Sequence, residues 1–121
     1  MSFELIKKQE QEIWMKINGQ VSVADYDKLQ SLILSSLAAY NDCRLLIILN
    51  DFKGWSKDDK WDEILFMQEH QDKVQKIAIV GDEKWKDEVF MFTGKPFRKT
   101  EIEFFPENQL NQAKQWLSTS N

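Results

Sequence analysis

Two aspartates, Asp51 and Asp82, stand just beyond short apolar runs, Leu45 to Leu49 and Ile77 to Val80. If those runs are neighbouring parallel strands, both carboxylates lie at the carboxyl edge of a sheet, where open α/β folds bind ligands. A pair of acids there would suit a hard cation such as Mg²⁺ or a phosphoryl transfer. A receiver-type site also needs a tight acid cluster with a placed lysine and threonine, which the order of strands does not supply. The favoured reading is that each aspartate caps a turn or helix. Asp58-Asp59-Lys60-Trp61 is echoed by Asp82-Glu83-Lys84-Trp85. Acids at a helix start interact with the positive end of its dipole, worth roughly 0.3 to 1 kcal/mol apiece, and this explains the charges without a metal. His70 is the one histidine, and no acid or nucleophile sits at a spacing that would make a triad with it. Cys43, the one cysteine, is expected to be a half-buried structural thiol. No catalytic residue, metal ligand or cofactor is assigned, and the chain is read as non-enzymatic.

The elements that position these residues follow from hydrophobic periodicity. Phe3 to Lys8 reads as a strand, and Ile13, Met15 and Ile17 alternate with Trp14 and Lys16 in a second, the two pairing antiparallel. Ser22 followed by Asp25 forms a capping pair for a helix in which Tyr26, Leu29, Ile33, Leu37 and Tyr40 recur at intervals of three and four. Arg44 to Leu49 is an almost uninterrupted apolar strand of the kind buried on both faces, hence the centre of the sheet. A second helix is expected from about Lys57 to Gln71, a strand over Ile77 to Val80, and a third helix from about Lys84 to Phe92. Gly94-Lys95-Pro96 breaks that helix, Glu101 to Phe105 alternates like an edge strand, and Pro106 leads into a last helix carrying Leu110, Ala113, Trp116 and Leu117. The order ββαβαβαβα predicts an α/β fold: one domain over 1–121, a mixed sheet of about five strands with the first antiparallel and the rest largely parallel, and about four flanking helices.

The chain of 121 residues is long enough to bury a core without staples. Sixteen basic against 20 acidic residues, a formal charge of −4, with no Lys/Arg-dense stripe, argue against general nucleic-acid binding. A single cysteine and the absence of a long apolar run in M-S-F-E-L-I-K-K point to a cytoplasmic location. The longest strictly apolar stretch is far short of the roughly 20 residues that span a bilayer, so membrane contact would be peripheral.

N-G-Q-V-S-V-A-D-Y, L-L-I-I-L-N-D-F-K-G-W, K-I-A-I-V-G-D-E-K-W and the F-F-P segment before A-K-Q-W-L together resemble the SpoIIAA-like family, which is related to STAS domains. The likeness runs over nearly the whole chain. It implies a small bacterial cytosolic domain with a mixed sheet and flanking helices, a binding or regulatory role, and no established enzymatic activity. STAS anti-sigma-factor antagonists carry a phosphorylatable serine at the start of the helix after a central strand, and Ser56 occupies the similar place here. Its context, G-W-S-K-D-D, departs from the Asp-Ser-Ser-Gly-like run, and the acids downstream would repel a phosphate. A helix cap is the favoured reading of Ser56, a phosphorylation switch the alternative.

The aromatic residues ask for more. Trp55, Trp61 and Trp85 all fall near strand-to-helix junctions, as if ringing one end of the sheet. Ile64 to Met67 and Val89 to Phe92 are four-residue apolar blocks, each covering more than one helix face. Mutual packing of the two helices is the favoured reading; the functional one is a cleft between them lined by Trp61, Phe66, Trp85 and Phe90. Trp55 and Phe97 would flank its mouth, with Lys95 and Arg98 drawing in an anionic headgroup. The expected occupant is a small hydrophobic or amphiphilic ligand or a peripheral membrane surface. The alternative is a protein partner or a second copy of the chain on the same apolar surface.

Overall fold

The computed structural model describes residues 3–9, 12–40, 43–57, 74–93 and 100–119. Five strands make one sheet in the order β1-β2-β3-β4-β5: β1 (Phe3–Gln9), β2 (Glu12–Asn18), β3 (Cys43–Asn50), β4 (Val74–Gly81) and β5 (Glu101–Pro106). β1 runs antiparallel to β2, and every later pairing is parallel, as the alternation of strands and helices predicts. Three helices lie within the described residues: α1 (Val23–Tyr40), α2 (Lys86–Thr93) and α3 (Leu110–Ser118). The helix expected from about Lys57 to Gln71 lies, apart from a non-helical Lys57, outside the described residues, as does the Gly94-Lys95-Pro96 break. α2 starts two residues later than predicted, because a 3₁₀ turn over Glu83–Trp85 precedes it.

The two faces of the sheet carry separate cores, set by the period-two alternation of each strand. Ile13, Met15, Ile17, Leu45, Leu49, Ile77, Ile79, Ile102 and Phe104 turn to one face and pack with Leu29 and Ile33 of α1 and Val89 of α2. Leu46, Ala78 and Val80 turn to the other, under Ala113 and Leu117 of α3. β4 is buried along nearly its whole length, which is why its sequence reads as apolar almost without alternation. Cys43 is the first residue of β3 and fully buried, where a half-buried position was expected. Its neighbour across the sheet is Val74, itself 1% exposed.

α1 begins at a reciprocal cap. The Asp25 amide donates to Ser22 Oγ at 3.1 Å, and the Ser22 amide donates to Asp25 Oδ2 at 3.2 Å. Two otherwise orphaned donors are thereby satisfied. Tyr26, Leu29 and Ile33 are buried along its inner stripe.

The end of α3 is held in a way the sequence does not advertise. Lys76, in the middle of β4 and 1% exposed, donates from Nζ to the carbonyls of Thr119 at 2.7 Å and Trp116 at 3.1 Å. Arg44 of β3 donates from Nη1 to the Leu117 carbonyl at 2.7 Å. The last carbonyls of a helix carry partial negative charge and lack partners within it, so two cations from adjacent strands satisfy both needs. The Lys76 ammonium also lies 4.8 Å from the centre of the Trp116 ring.

Candidate functional site

The site is built where the chain leaves β2, β3 and β4 at the carboxyl edge of the sheet. Past Asn18 and Asn50 the strands stop, but their backbones stay joined. The Gly19 amide donates to Asn50 O at 3.1 Å, Lys53 N to Gly19 O at 3.0 Å, Val21 N to Gly54 O at 2.9 Å and Ser56 N to Val21 O at 2.8 Å. Val21 and Trp55 form a short parallel bridge, and Gln20 Nε2 adds a contact to Trp55 O at 3.3 Å. The loop bearing D-F-K-G-W is thus pinned by main-chain bonds along its length.

That pinning gathers three aromatic rings. Phe52 is buried, and the Trp55 and Trp85 rings meet it edge to face, with centroids 5.3 and 4.9 Å away. The two indoles are 6.3 Å apart, also edge to face. Edge-to-face contacts bring the positive rim of one ring to the negative face of another. Gly54, at φ +89°, lets the chain turn beneath Trp85; a Cβ there would stand 3.4 Å from the end of that indole. Both tryptophans are only half-buried, so the cluster has a buried floor and an accessible upper side. Lys84 places its ammonium 5.8 Å from the Trp85 ring centre.

The acids of the junctions have structural duties. Asp82 Oδ1 accepts the Lys84 amide at 3.0 Å, and its carbonyl accepts the Trp85 amide at 3.1 Å, which caps the 3₁₀ turn and presents Trp85. Asp51 sits in the left-handed region at φ 51° and pairs with Lys53 at 3.4 Å, both side chains exposed. Among the described residues no three His, Cys, Asp or Glu side chains gather in a way that could hold a metal ion.

Of the expected cleft residues, Trp55 and Trp85 are brought together. Phe90 of α2 packs its ring on Phe104 of β5, 6.4 Å between centroids. Trp61, Phe66, Lys95, Phe97 and Arg98 lie outside the described residues, as do Asp58, Asp59 and His70. Ser56 is half-buried at the end of the pinned loop. Sequence reasoning passed over Phe52, the ring on which both indoles rest. Its signal was an aromatic residue two positions past the central strand and two before a glycine.

No helix among the described residues is long and apolar enough to cross a membrane. No curated protein matches the chain. Among solved structures, the fold is similar to that of an uncharacterized protein of the DUF3478 family from Shewanella loihica PV-4, which has a SpoIIAA-like fold. That likeness has a TM-score of 0.68 at 22% identity and covers 95% of this chain and 91% of the other. The SpoIIAA-like family model matches residues 13–118, from the second strand to the end of the last helix. With the mixed five-stranded sheet and the D-F-K-G-W junction in place, the chain belongs to the SpoIIAA-like family.

Proposed function

We propose that this domain works by binding, with no chemistry of its own, and that it takes a small hydrophobic or anionic amphiphilic ligand on the Phe52, Trp55 and Trp85 cluster. One observation carries this reading: two indoles stand edge to face on a buried phenylalanine at the carboxyl edge of a mostly parallel sheet, each with part of its surface open. Ligands of open α/β folds occupy that edge. The exposed Lys84 beside Trp85 supplies a cation for a carboxylate or headgroup phosphate.

Titration with oleate and with vesicles containing phosphatidylglycerol tests the reading. A blue shift of tryptophan emission that is lost in Trp85→Ala, with the fold retained by circular dichroism, is the expected result. Unchanged emission together with failure to co-sediment would reject it.

A protein partner on the same surface is the second reading, of regulatory type, and α2 favours it. Met91 is 80% exposed and shares a helix face with Asp87 and Glu88 at i−4 and i−3. An acidic face around an open methionine suits a protein surface better than anionic lipid.

A further inference from the structure

We infer that β1 is the pairing edge of a symmetric dimer, in which β1 of one copy adds antiparallel to β1 of a second copy and extends the sheet across a two-fold axis. Among the described residues β1 is the outermost strand, and the main-chain donors and acceptors on its far side face away from β2. A free edge of this kind invites another strand unless something guards it. Leu5 is 44% exposed and Ile6 47% exposed, and these adjacent residues are two of the four exposed large hydrophobics among the described residues.

Of the usual guards, β1 keeps an irregularity between Leu5 and Lys7, but its lysines are turned to the faces of the sheet. Lysines on an edge strand normally project over it and discourage pairing. Here the Lys7 ammonium lies 4.3 Å from the centre of the Trp14 ring, on one face of the sheet. Lys8 donates to Ser35 Oγ on α1 at 3.3 Å, on the other face. Both ammonium groups thus lie over the faces of the sheet, where the side chains of an added strand would also lie, and clear of the main-chain groups of the edge. The opposite edge is different: β5 presents exposed Glu101 and Glu103 and ends in Pro106, so two copies meeting there would set acid against acid.

Charge selects the occupant. Along β1 the acid Glu4 comes first and the bases Lys7 and Lys8 last. An antiparallel copy, centred near Leu5 and Ile6, sets Glu4 of each chain towards the lysines of the other, whereas a parallel copy would oppose like charges. The strand is therefore complementary to itself under two-fold symmetry, the requirement of an isologous interface. The irregularity between Leu5 and Lys7 in the pairing with β2 falls at the centre of this contact, so the added ladder is interrupted there and runs on either side of it. The inferred surface differs from the helix surface that the sequence offers, as an alternative, to a second copy.

The experiment is light scattering behind size exclusion from low-micromolar to near-millimolar protein, with amide hydrogen exchange at the two ends of that range. The mass of the unmodified protein should rise from 14.4 kDa towards twice that value. Alternate amides between Glu4 and Lys8 should become protected as concentration rises, while those of β5 do not change. Ile6→Lys, and Glu4→Lys separately, should weaken the dimer by roughly tenfold or more, because each sets charge against an apolar or basic partner. A mass that stays at the monomer value, or a dimer whose β1 amides gain no protection, overturns the inference. So does a dimer of undiminished strength in folded variants. If a variant fails to fold, the exchange pattern of the unmodified protein decides alone.

Discussion

Gly54 shows how much one residue can hold in place. Its φ of +89° lies in a region that L side chains enter at a cost of about 1–2 kcal/mol, while a Cβ there would meet the Trp85 indole only at ordinary contact distance. Gly54→Ala should therefore lower the stability by about 1–2 kcal/mol in urea denaturation through the backbone alone, with the tryptophan emission of the folded state unchanged. Lys76 is the opposite case, a residue defined by what it reaches. Lys76→Met removes both bonds from a charged donor to the end of α3, a loss of about 1.5–3 kcal/mol. A lowered urea midpoint with an unchanged denaturant slope would check it. The strand was expected only from Ile77 and begins at Val74, and no local pattern marks Lys76 as buried. Its partners lie 40 and 43 residues further along the chain, so its role becomes visible only once α3 is docked. Phe52 was missed for a similar reason: its neighbours in space, Trp55 and Trp85, belong to different junctions.

At the level of elements, local signals were strong wherever the same residues served both local conformation and burial. Ser22 and Asp25 announce α1 because their side chains satisfy each other's amides, whatever the rest of the fold does. Ser22→Ala should cost ~1 kcal/mol, read as a shift of the equilibrium unfolding midpoint, and leave the aromatic cluster unchanged. The central strand was legible because a strand apolar on both faces must be covered on both. The start of α2 was less so. Asp82 can cap either an α-helix or a 3₁₀ turn, and the structure uses the tighter turn, which directs Trp85 back over Phe52. The cleft between two helices was inferred from their composition, but the described part of the aromatic surface is organised by a loop and a 3₁₀ turn. Composition can state that apolar area must be covered; it does not state which element turns towards it.

For the whole molecule, the sheet divides the work between its two sides. One face carries α1, α2 and the aromatic cluster, and the other carries α3, fastened at its end by cations from two strands. The proposed dimer edge belongs to β1, while the cluster lies past the ends of β2, β3 and β4. Pairing at one would leave the other open, so oleate should shift the emission of Ile6→Lys as fully as that of the unmodified protein. Loss of the shift in that variant would mean that the two surfaces are coupled. The main-chain bonds that join residues 19–21 to residues 53–56 bear on how any such ligand is received. A loop already tied to its neighbour has little freedom left to surrender, so its rings are arranged before anything arrives. Association there should be fast and single-phased, with no slow step of rearrangement, and its selectivity should follow the fixed outline of the indoles.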